Sequence, residues 1–288
     1  DKMEKYLYYP GCTLKTYALG YEKSALAIAK ELQLELTELD KWYCCGAVAS
    51  LAKDDLFRYL APIRTLIRVQ DQGYNKLVTL CDMCYNTLQH ANLLAKNNVQ
   101  GLDTINSFLE SENCNYKGKV EVYHLLQVLR DLVGFEKLKE LVKRPLKLRL
   151  ASYYGCMLLK PREIAIDDVE DPRILENLIE ALGGEVVNSH YKTECCGSYN
   201  VVDNKELVAE QVSKILSDMK EKGCQALVTS CPLCKYNLES LQKEKIPVFY
   251  FTQLIAIAFK LNEEYYGLEG HKIDPRDLLK AGNLIEGD

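Results

Sequence analysis

The sequence predicts an α/β fold built from two pseudo-symmetric repeated units, each a short, mostly parallel sheet with flanking helices. Ten of the twelve cysteines fall into one five-cysteine pattern that occurs twice. Segment 71–81 aligns without gaps with 221–231, and 122–127 matches 248–253. Short strand-like runs alternate with longer helical patterns in each half, as is typical of parallel sheets covered by helices.

Each copy of the cysteine pattern contains a single cysteine, then Cys-Cys-Gly, then Cys-x-x-Cys. The first copy is Cys12, Cys44, Cys45, Cys81 and Cys84, and the second is Cys156, Cys195, Cys196, Cys231 and Cys234. Five thiols are one more than a tetrahedral zinc ion or an ordinary four-iron cubane requires. Adjacent cysteines fit poorly around one tetrahedral ion, whereas they can bind neighbouring irons of one cluster. The pattern therefore indicates redox chemistry at an unusual metal centre.

The elements of the first half place these cysteines where strands end and helices begin. A helix N-terminus has unpaired N–H groups and a partial positive charge, and both stabilise thiolates. The predicted elements are, in order, strand 6–9, helix 18–32, a short run 34–39, helix 51–72 that Pro62 kinks or restarts, strand 77–80 and helix 85–96.

The repeat divides the chain near residues 143–147. We therefore predict an N-terminal cysteine-rich domain of residues 1–145 and a C-terminal one of residues 146–288. Val122 lies 38 positions after Cys84, whereas Val248 lies 14 positions after Cys234. The first half therefore carries about 24 inserted residues.

The composition excludes several classes of function. The chain has 288 residues, 48% of them hydrophobic, and a net charge of −5, which gives no general attraction to nucleic acid or to an anionic membrane. No apolar stretch approaches the roughly 20 residues needed to span a bilayer. No basic-then-apolar leader is present at the N-terminus, so we expect a cytoplasmic protein. In a reducing cytoplasm, clustered cysteines are metal ligands or redox groups rather than structural disulfides.

The doubled pattern resembles the cysteine-rich domain pair of the heterodisulfide reductase B subunit. Segments 153–161 and 229–234 strengthen this similarity, and so does the tail at 271–276. The resemblance implies an oxidoreductase in which each five-cysteine set, with all five cysteines as ligands, holds a non-cubane 4Fe-4S cluster. It also implies a CoM-S-S-CoB-like disulfide substrate, bound between the two clusters and cleaved by one electron from each side.

The electrons are expected to come from another protein. The sequence has neither a ferredoxin-type cysteine run nor a glycine-rich dinucleotide fingerprint. The resemblance implies a ferredoxin-type iron–sulfur partner, the C subunit, which in a larger complex receives electrons from a flavin-containing A subunit.

Residues outside the cysteine pattern are weaker candidates. His124 and His190 are candidate proton donors for a departing thiolate, because histidine titrates near neutrality. The alternative for each is a packed or surface histidine. Cys114 and Cys224 fall outside both copies, and we expect them to be ordinary side chains.

Two other functions stay open at this point. One is the same cluster chemistry in a bacterial complex with a different acceptor. It is favoured by Gly46, because methanogen subunits tend to have proline after this cysteine pair. The other is an electron-transfer or structural subunit with zinc in one of the two domains. Iron and zinc analysis would separate these hypotheses.

Overall fold

Two four-stranded parallel sheets lie at the centre of the molecule. The computed structural model describes residues 5–47 and 56–286. Within them the strand orders are β2-β1-β3-β4 and β6-β5-β7-β8, and every pairing is parallel. The predicted α/β class and the repeated units are thereby confirmed. The strands are β1 Lys5–Tyr9, β2 Glu35–Glu38, β3 Lys76–Thr79, β4 Glu121–His124, β5 Arg149–Ser152, β6 Glu185–Val186, β7 Ala226–Thr229 and β8 Val248–Tyr250.

Helices connect these strands and pack beside them. The helices are α1 Gly11–Leu14, α2 Leu19–Glu31, α3 Leu60–Asp71, α4 Asp82–Asn97, α5 Val99–Leu109, α6 Leu125–Val128, α7 Phe135–Leu141, α8 Ile174–Ala181, α9 Lys205–Glu221, α10 Pro232–Leu241, α11 Phe251–Ala258 and α12 Arg276–Ala281. Short 3-10 turns occur at Phe57–Tyr59, Glu110–Glu112, Arg162–Ile164, Ser198–Val202 and Glu263–Tyr266, and Leu129–Val133 continues α6 as a π-helix.

The inner strands are buried, because helices pack against parallel sheets and leave little of them exposed. All four residues of β7 are buried, and so are Leu77, Val78 and Thr79 of β3. The continuous apolar runs that predicted these two strands therefore reflect complete burial.

Two local features refine the predicted elements. Helix α5 falls within the segment predicted as an insertion, and it packs against α4. Pro62 lies in the first turn of α3, where its missing N–H breaks no helical hydrogen bond. Of the two roles considered for Pro62, the structure therefore supports the start of a helix. The part of that predicted helix at 51–55 lies outside the described residues.

The strand order creates a crevice in each unit. From β1 the chain passes to β2 on one side, and β3 then pairs with β1 on the other side. The loops after β1 and β3 therefore diverge at the carboxyl edge of the sheet, as do those after β5 and β7. Ligands of open α/β sheets bind at this type of switch point.

The two units are joined along a packed seam. Helix α2 of the first unit packs against α11 of the second. The ring of Tyr21 stacks on that of Tyr250, with centroids 4.0 Å apart and planes inclined by 5°. Nearby, the Ser24 and Thr252 hydroxyl oxygens are 2.7 Å apart. The seam is therefore both apolar and hydrogen-bonded.

Among the described helices, none is both long enough and apolar enough to cross a membrane.

Candidate metal centres

The motif cysteines lie at the carboxyl edges of the two sheets. Cys12 is in α1, directly after β1. Cys81 is the N-cap residue of α4 after β3, and Cys231 is the N-cap residue of α10 after β7. The helix N-termini thus point toward the cysteine sets, as the sequence predicts. Their free N–H groups and partial positive charge favour thiolates at these positions.

The five thiols of each half interact as a chain of neighbours, and the order is the same in both halves. Hydrogen-bonding contacts run from Cys12 to Cys44, Cys45, Cys84 and Cys81 in the first half. They run from Cys156 to Cys195, Cys196, Cys234 and Cys231 in the second half. The Cys156 and Cys195 sulfur atoms are 3.9 Å apart. All ten predicted site cysteines are therefore gathered into two equivalent sets.

The electrostatics of the two sets match as well. The Cys12 thiol, followed by that of Cys45, lowers the pKa of Cys44 to about 2 by hydrogen bonding. The thiols of Cys156 and Cys196 lower the pKa of Cys195 to about 2 in the same way. Each set therefore stabilises a thiolate, the form that binds metal, at the first cysteine of its adjacent pair. Hydrogen bonding to that first cysteine raises the pKa of the second, Cys45 or Cys196, to about 12.

Each set has a buried inner side and an outer side open to solvent. Cys45, Cys81 and Cys84 are buried, whereas Cys12 and Cys44 are exposed. In the second half, Cys196, Cys231 and Cys234 are buried, Cys195 is exposed and Cys156 is intermediate. Within residues 5–47 and 56–286, no three His, Cys, Asp or Glu side chains converge closely enough to hold one metal ion. Five thiols per set exceed the four ligands that a single tetrahedral ion requires.

A glycine beside each set leaves room for a sulfur atom. A Cβ added to Gly11 would lie 2.9 Å from the Cys84 sulfur, and one added to Gly155 would lie 3.0 Å from the Cys234 sulfur. Both glycines have positive φ angles, +69° and +65°. The backbone therefore makes a close approach to one sulfur in each half, which fits a cradle for a bound cluster.

Equivalent tyrosines support the loops that carry the adjacent cysteines. The Tyr9 hydroxyl donates to the Tyr43 carbonyl oxygen at 2.5 Å, and the Tyr153 hydroxyl donates to the Glu194 carbonyl oxygen at 2.7 Å. Each acceptor directly precedes a Cys-Cys pair. Tyr9, which ends β1, and Tyr153, which follows β5, are fully buried. Each tyrosine therefore fixes the position of the Cys-Cys pair in its own unit.

A buried carboxyl links the two Cys-x-x-Cys loops. Ser230 donates a hydrogen bond to Asp82 at 3.1 Å, across the seam between the two units. Asp82 directly follows Cys81, and Ser230 directly precedes Cys231. Asp82 is fully buried, and this burial raises the pKa of its carboxyl. Sequence reasoning missed this residue, although a lone acid directly after an apolar strand is a visible signal.

The two histidines named from the sequence occupy different environments. His124 is fully buried, with its Nε2 atom 2.8 Å from the Leu80 carbonyl oxygen and 3.3 Å from Asp82. His190 is exposed and lines a surface cavity together with Lys192. A role for either histidine in proton donation stays a prediction.

The thiols of Cys114 and Cys224 hydrogen-bond to backbone groups. The Cys114 thiol donates to the Glu112 carbonyl oxygen at 3.5 Å, and the Cys224 thiol donates to the Ala226 carbonyl oxygen at 2.9 Å. Burial raises the pKa of Cys224 to about 11, and no other cysteine contributes to this shift. These contacts agree with the expectation that both are ordinary side chains.

Comparisons with known proteins agree with the repeat. The family model described as CCG, cysteine-rich domain, matches residues 6–89 and 150–239. The chain is 32% identical over 286 residues to the 8-methylmenaquinol:fumarate reductase membrane anchor subunit of Wolinella succinogenes, covering 96% of this chain and 99% of that protein. It is 29% identical over 289 residues to the B subunit of the ferredoxin/F420H2-dependent CoB-CoM heterodisulfide reductase of Methanosarcina acetivorans, covering 96% of each.

A solved structure supports the fold. A hypothetical protein from Helicobacter pylori superposes with a TM-score of 0.75 at 13% identity, covering 93% of this chain and 52% of that chain. This chain thus spans about half the length of that protein, and the likeness concerns the fold alone. The doubled family match and the full-length homologues establish the relationship. The chain belongs to the CCG cysteine-rich domain family, as a two-domain homologue of the heterodisulfide reductase B subunit.

Proposed function

We propose that this chain is the catalytic iron–sulfur subunit of a heterodisulfide-reductase-type complex, which reduces a disulfide between two non-cubane 4Fe-4S clusters. One observation supports this proposal most strongly. Two equivalent five-thiol sets adjoin one seam, and the Ser230–Asp82 hydrogen bond ties their Cys-x-x-Cys loops together. Two one-electron centres beside a common space suit a two-electron reaction.

The proposed reaction requires a balanced supply of electrons and protons. Reduction of a disulfide, R–S–S–R′, consumes two electrons and two protons, breaks the S–S bond and yields the thiols R–SH and R′–SH. When bound, the two clusters would supply the electrons one at a time. The ten cysteines of the two sets would hold them, six on the buried inner sides and the others toward solvent.

The chain's own residues also favour negative charge at this site. Cys81 and Cys231 cap α4 and α10, so the positive ends of both helices act on the sulfur atoms. The fixed seam between the two units would keep the separation of the two sets constant during the reaction. His124 and His190 stay candidate proton donors within this proposal.

The electron source in this proposal is a separate protein. Relatives carry names of subunits of heterodisulfide reductases, which supports partner subunits for this chain. We propose a ferredoxin-type C subunit as the direct donor, which receives its electrons from a flavin-containing A subunit. A location in the cytoplasm is part of the same proposal.

A disulfide reductase assay tests this function. The chain is reconstituted anaerobically with iron and sulfide, reduced methyl viologen is the donor, and 2-hydroxyethyl disulfide is the probe substrate. Cys45→Ser and Cys196→Ser, one in each set, should each lower kcat/KM by more than about tenfold. The control, Cys224→Ser, alters a cysteine outside both sets and should match the wild type. Full activity of either single-set variant would contradict a mechanism that needs both sets.

A second candidate function is the same cluster chemistry with a quinol–quinone couple in place of the disulfide. The 32% identity to the Wolinella succinogenes protein over nearly the whole chain favours it. The same assay, with a water-soluble menaquinone analogue in place of the disulfide, distinguishes the two. Metal analysis tests the third hypothesis, an electron-transfer or structural subunit with zinc in one domain.

A further inference from the structure

A surface groove reaches the second Cys-x-x-Cys loop from outside. Its volume is about 500 Å³, and its walls include Tyr17, Tyr199 and Tyr236. Leu233, which lies between Cys231 and Cys234 in the sequence, also lines it. The groove therefore connects solvent with a loop that carries two of the inner cysteines.

Both units contribute to this groove. Tyr17 follows α1, the helix of the first unit that contains Cys12. Tyr199 belongs to the 3-10 turn that directly follows Gly197 in the second unit. The Tyr17 and Tyr236 rings approach each other, with centroids 6.0 Å apart. Tyr17 and Tyr236 also line an adjoining cavity of about 200 Å³.

The Tyr17 and Tyr199 hydroxyls are available to a ligand. Within the described part of the chain, neither hydroxyl donates a hydrogen bond to a protein acceptor. Tyr9 and Tyr153, which also adjoin the cysteine sets, instead donate to backbone carbonyl groups. Tyr17 is 51% exposed, so its ring lies at the mouth of the groove.

The electrostatic surroundings of these two phenols include cysteines of both units. Partial burial, followed by charge interactions with Cys231 and Cys81, raises the pKa of Tyr17. Partial burial, followed by charge interactions with cysteines that include Cys81, Cys45 and Cys231, raises the pKa of Tyr199. Both phenols therefore stay protonated near neutral pH and can act as hydrogen-bond donors, each within electrostatic range of sulfur atoms from both units.

We infer that this groove admits the disulfide, and that Tyr17 and Tyr199 donate hydrogen bonds to its sulfur atoms. The inference rests on the proposed function. As the S–S bond breaks, each sulfur gains negative charge, and a hydrogen bond from a neutral donor to a charged acceptor strengthens. The two tyrosines would therefore bind the thiol products as well as the disulfide.

The test uses the reconstituted chain and two readouts. The first is kcat/KM for 2-hydroxyethyl disulfide, and the second is the Kd for 2-mercaptoethanol, taken from the change it causes in the visible spectrum of the oxidised clusters. Tyr17→Phe and Tyr199→Phe should each lower kcat/KM and raise the Kd about tenfold, as expected for loss of one hydrogen bond to a charged sulfur. Their iron content should stay at the wild-type level.

The matched control is Tyr265→Phe, which removes a hydroxyl from a tyrosine that is 41% exposed and lies outside the groove. It should leave both values unchanged. Thiol affinities of Tyr17→Phe and Tyr199→Phe equal to that of the control would overturn the inference, and so would a wild-type protein that binds no thiol. If the wild type binds thiol in a tyrosine-dependent manner yet reduces no disulfide, the groove is supported and the proposed function fails.

Discussion

Ser230 of the second unit donates a hydrogen bond to Asp82 of the first at 3.1 Å, and the two residues are the sequence neighbours of Cys231 and Cys81. The two Cys-x-x-Cys loops are therefore in direct contact through buried side chains. Leu80 and Pro232 stand at the equivalent positions of the repeat. Their side chains cannot form the same hydrogen bond, so the Ser230–Asp82 link has no symmetric counterpart. A duplicated fold has acquired an asymmetric connection between its two candidate metal centres.

Removal of this hydrogen bond should weaken the seam. Ser230→Ala deprives the fully buried Asp82 carboxyl of a donor, which should lower the free energy of unfolding by about 1–3 kcal/mol. Urea denaturation monitored by circular dichroism measures the change. Ser107→Ala, in an exposed position on α5, serves as the control and should stay within about 0.5 kcal/mol of the wild type. Equal losses in the two variants would contradict a structural role for the link.

The glycine beside the first cysteine set gives a second prediction. Gly11→Ala places a Cβ 2.9 Å from the Cys84 sulfur, so that sulfur must shift away from its position in the set. Gly73→Ala is a matched control, because Gly73 has a similar positive φ, +77°, but nothing within 4 Å of an added Cβ. Both variants should lose about 1 kcal/mol of stability to backbone strain.

The two glycine variants should differ in their metal content. After anaerobic reconstitution, Gly11→Ala should retain about half of the wild-type iron, since only the first set is disturbed. Gly73→Ala should retain all of it. A Gly11→Ala protein with full iron would show that the close approach to Cys84 plays no part in cluster binding.

A buried network in the second unit predicts a pH dependence of stability. The His271 Nδ1 atom is 2.9 Å from a Glu239 carboxylate oxygen, and the Lys235 Nζ atom is 2.6 Å from the other oxygen. Burial, assisted by the charge of Lys235, lowers the pKa of His271. The unfolded chain, with an ordinary pKa of about 6.5, then binds more protons than the folded protein, so stability falls as the pH drops below that value.

His271→Gln should remove this contribution while keeping a side chain that can donate to Glu239. The wild type should lose more stability than His271→Gln between about pH 7 and pH 5, measured by urea denaturation at each pH. The exposed His190 provides a control, and His190→Gln should follow the wild-type curve. Parallel curves for the wild type and His271→Gln would exclude the predicted role of His271.

The sequence predicted the fold where its signals are local. The apolar runs at 6–9 and 77–80 correspond closely to β1 and β3, and the helical spacing at 18–32 to α2. These predictions succeed because burial of a strand or of one helix face requires a fixed periodicity. The gathering of the cysteines into two sets followed from the repeat, since the carboxyl ends of parallel strands meet at one edge of a sheet.

Features that depend on how the two units meet were not predictable. The Asp82–Ser230 link joins residues 148 positions apart, and neither is one of the repeated cysteines. The groove between Tyr17 and Tyr199 likewise depends on the geometry of the seam. A periodic pattern describes one element at a time, whereas these sites form only when two separately folded surfaces come into contact. Internal repetition therefore indicates the cysteine sets without indicating the space between them.

The iron and acid-labile sulfide content of the anaerobically reconstituted chain tests the central claim most directly. Two five-cysteine sets that each hold a 4Fe-4S cluster predict about eight irons and about eight sulfides per chain, with no zinc. Cys45→Ser and Cys196→Ser should each reduce the iron content by about half. A chain that binds about four irons and one zinc ion would contradict a reductase with two equivalent clusters.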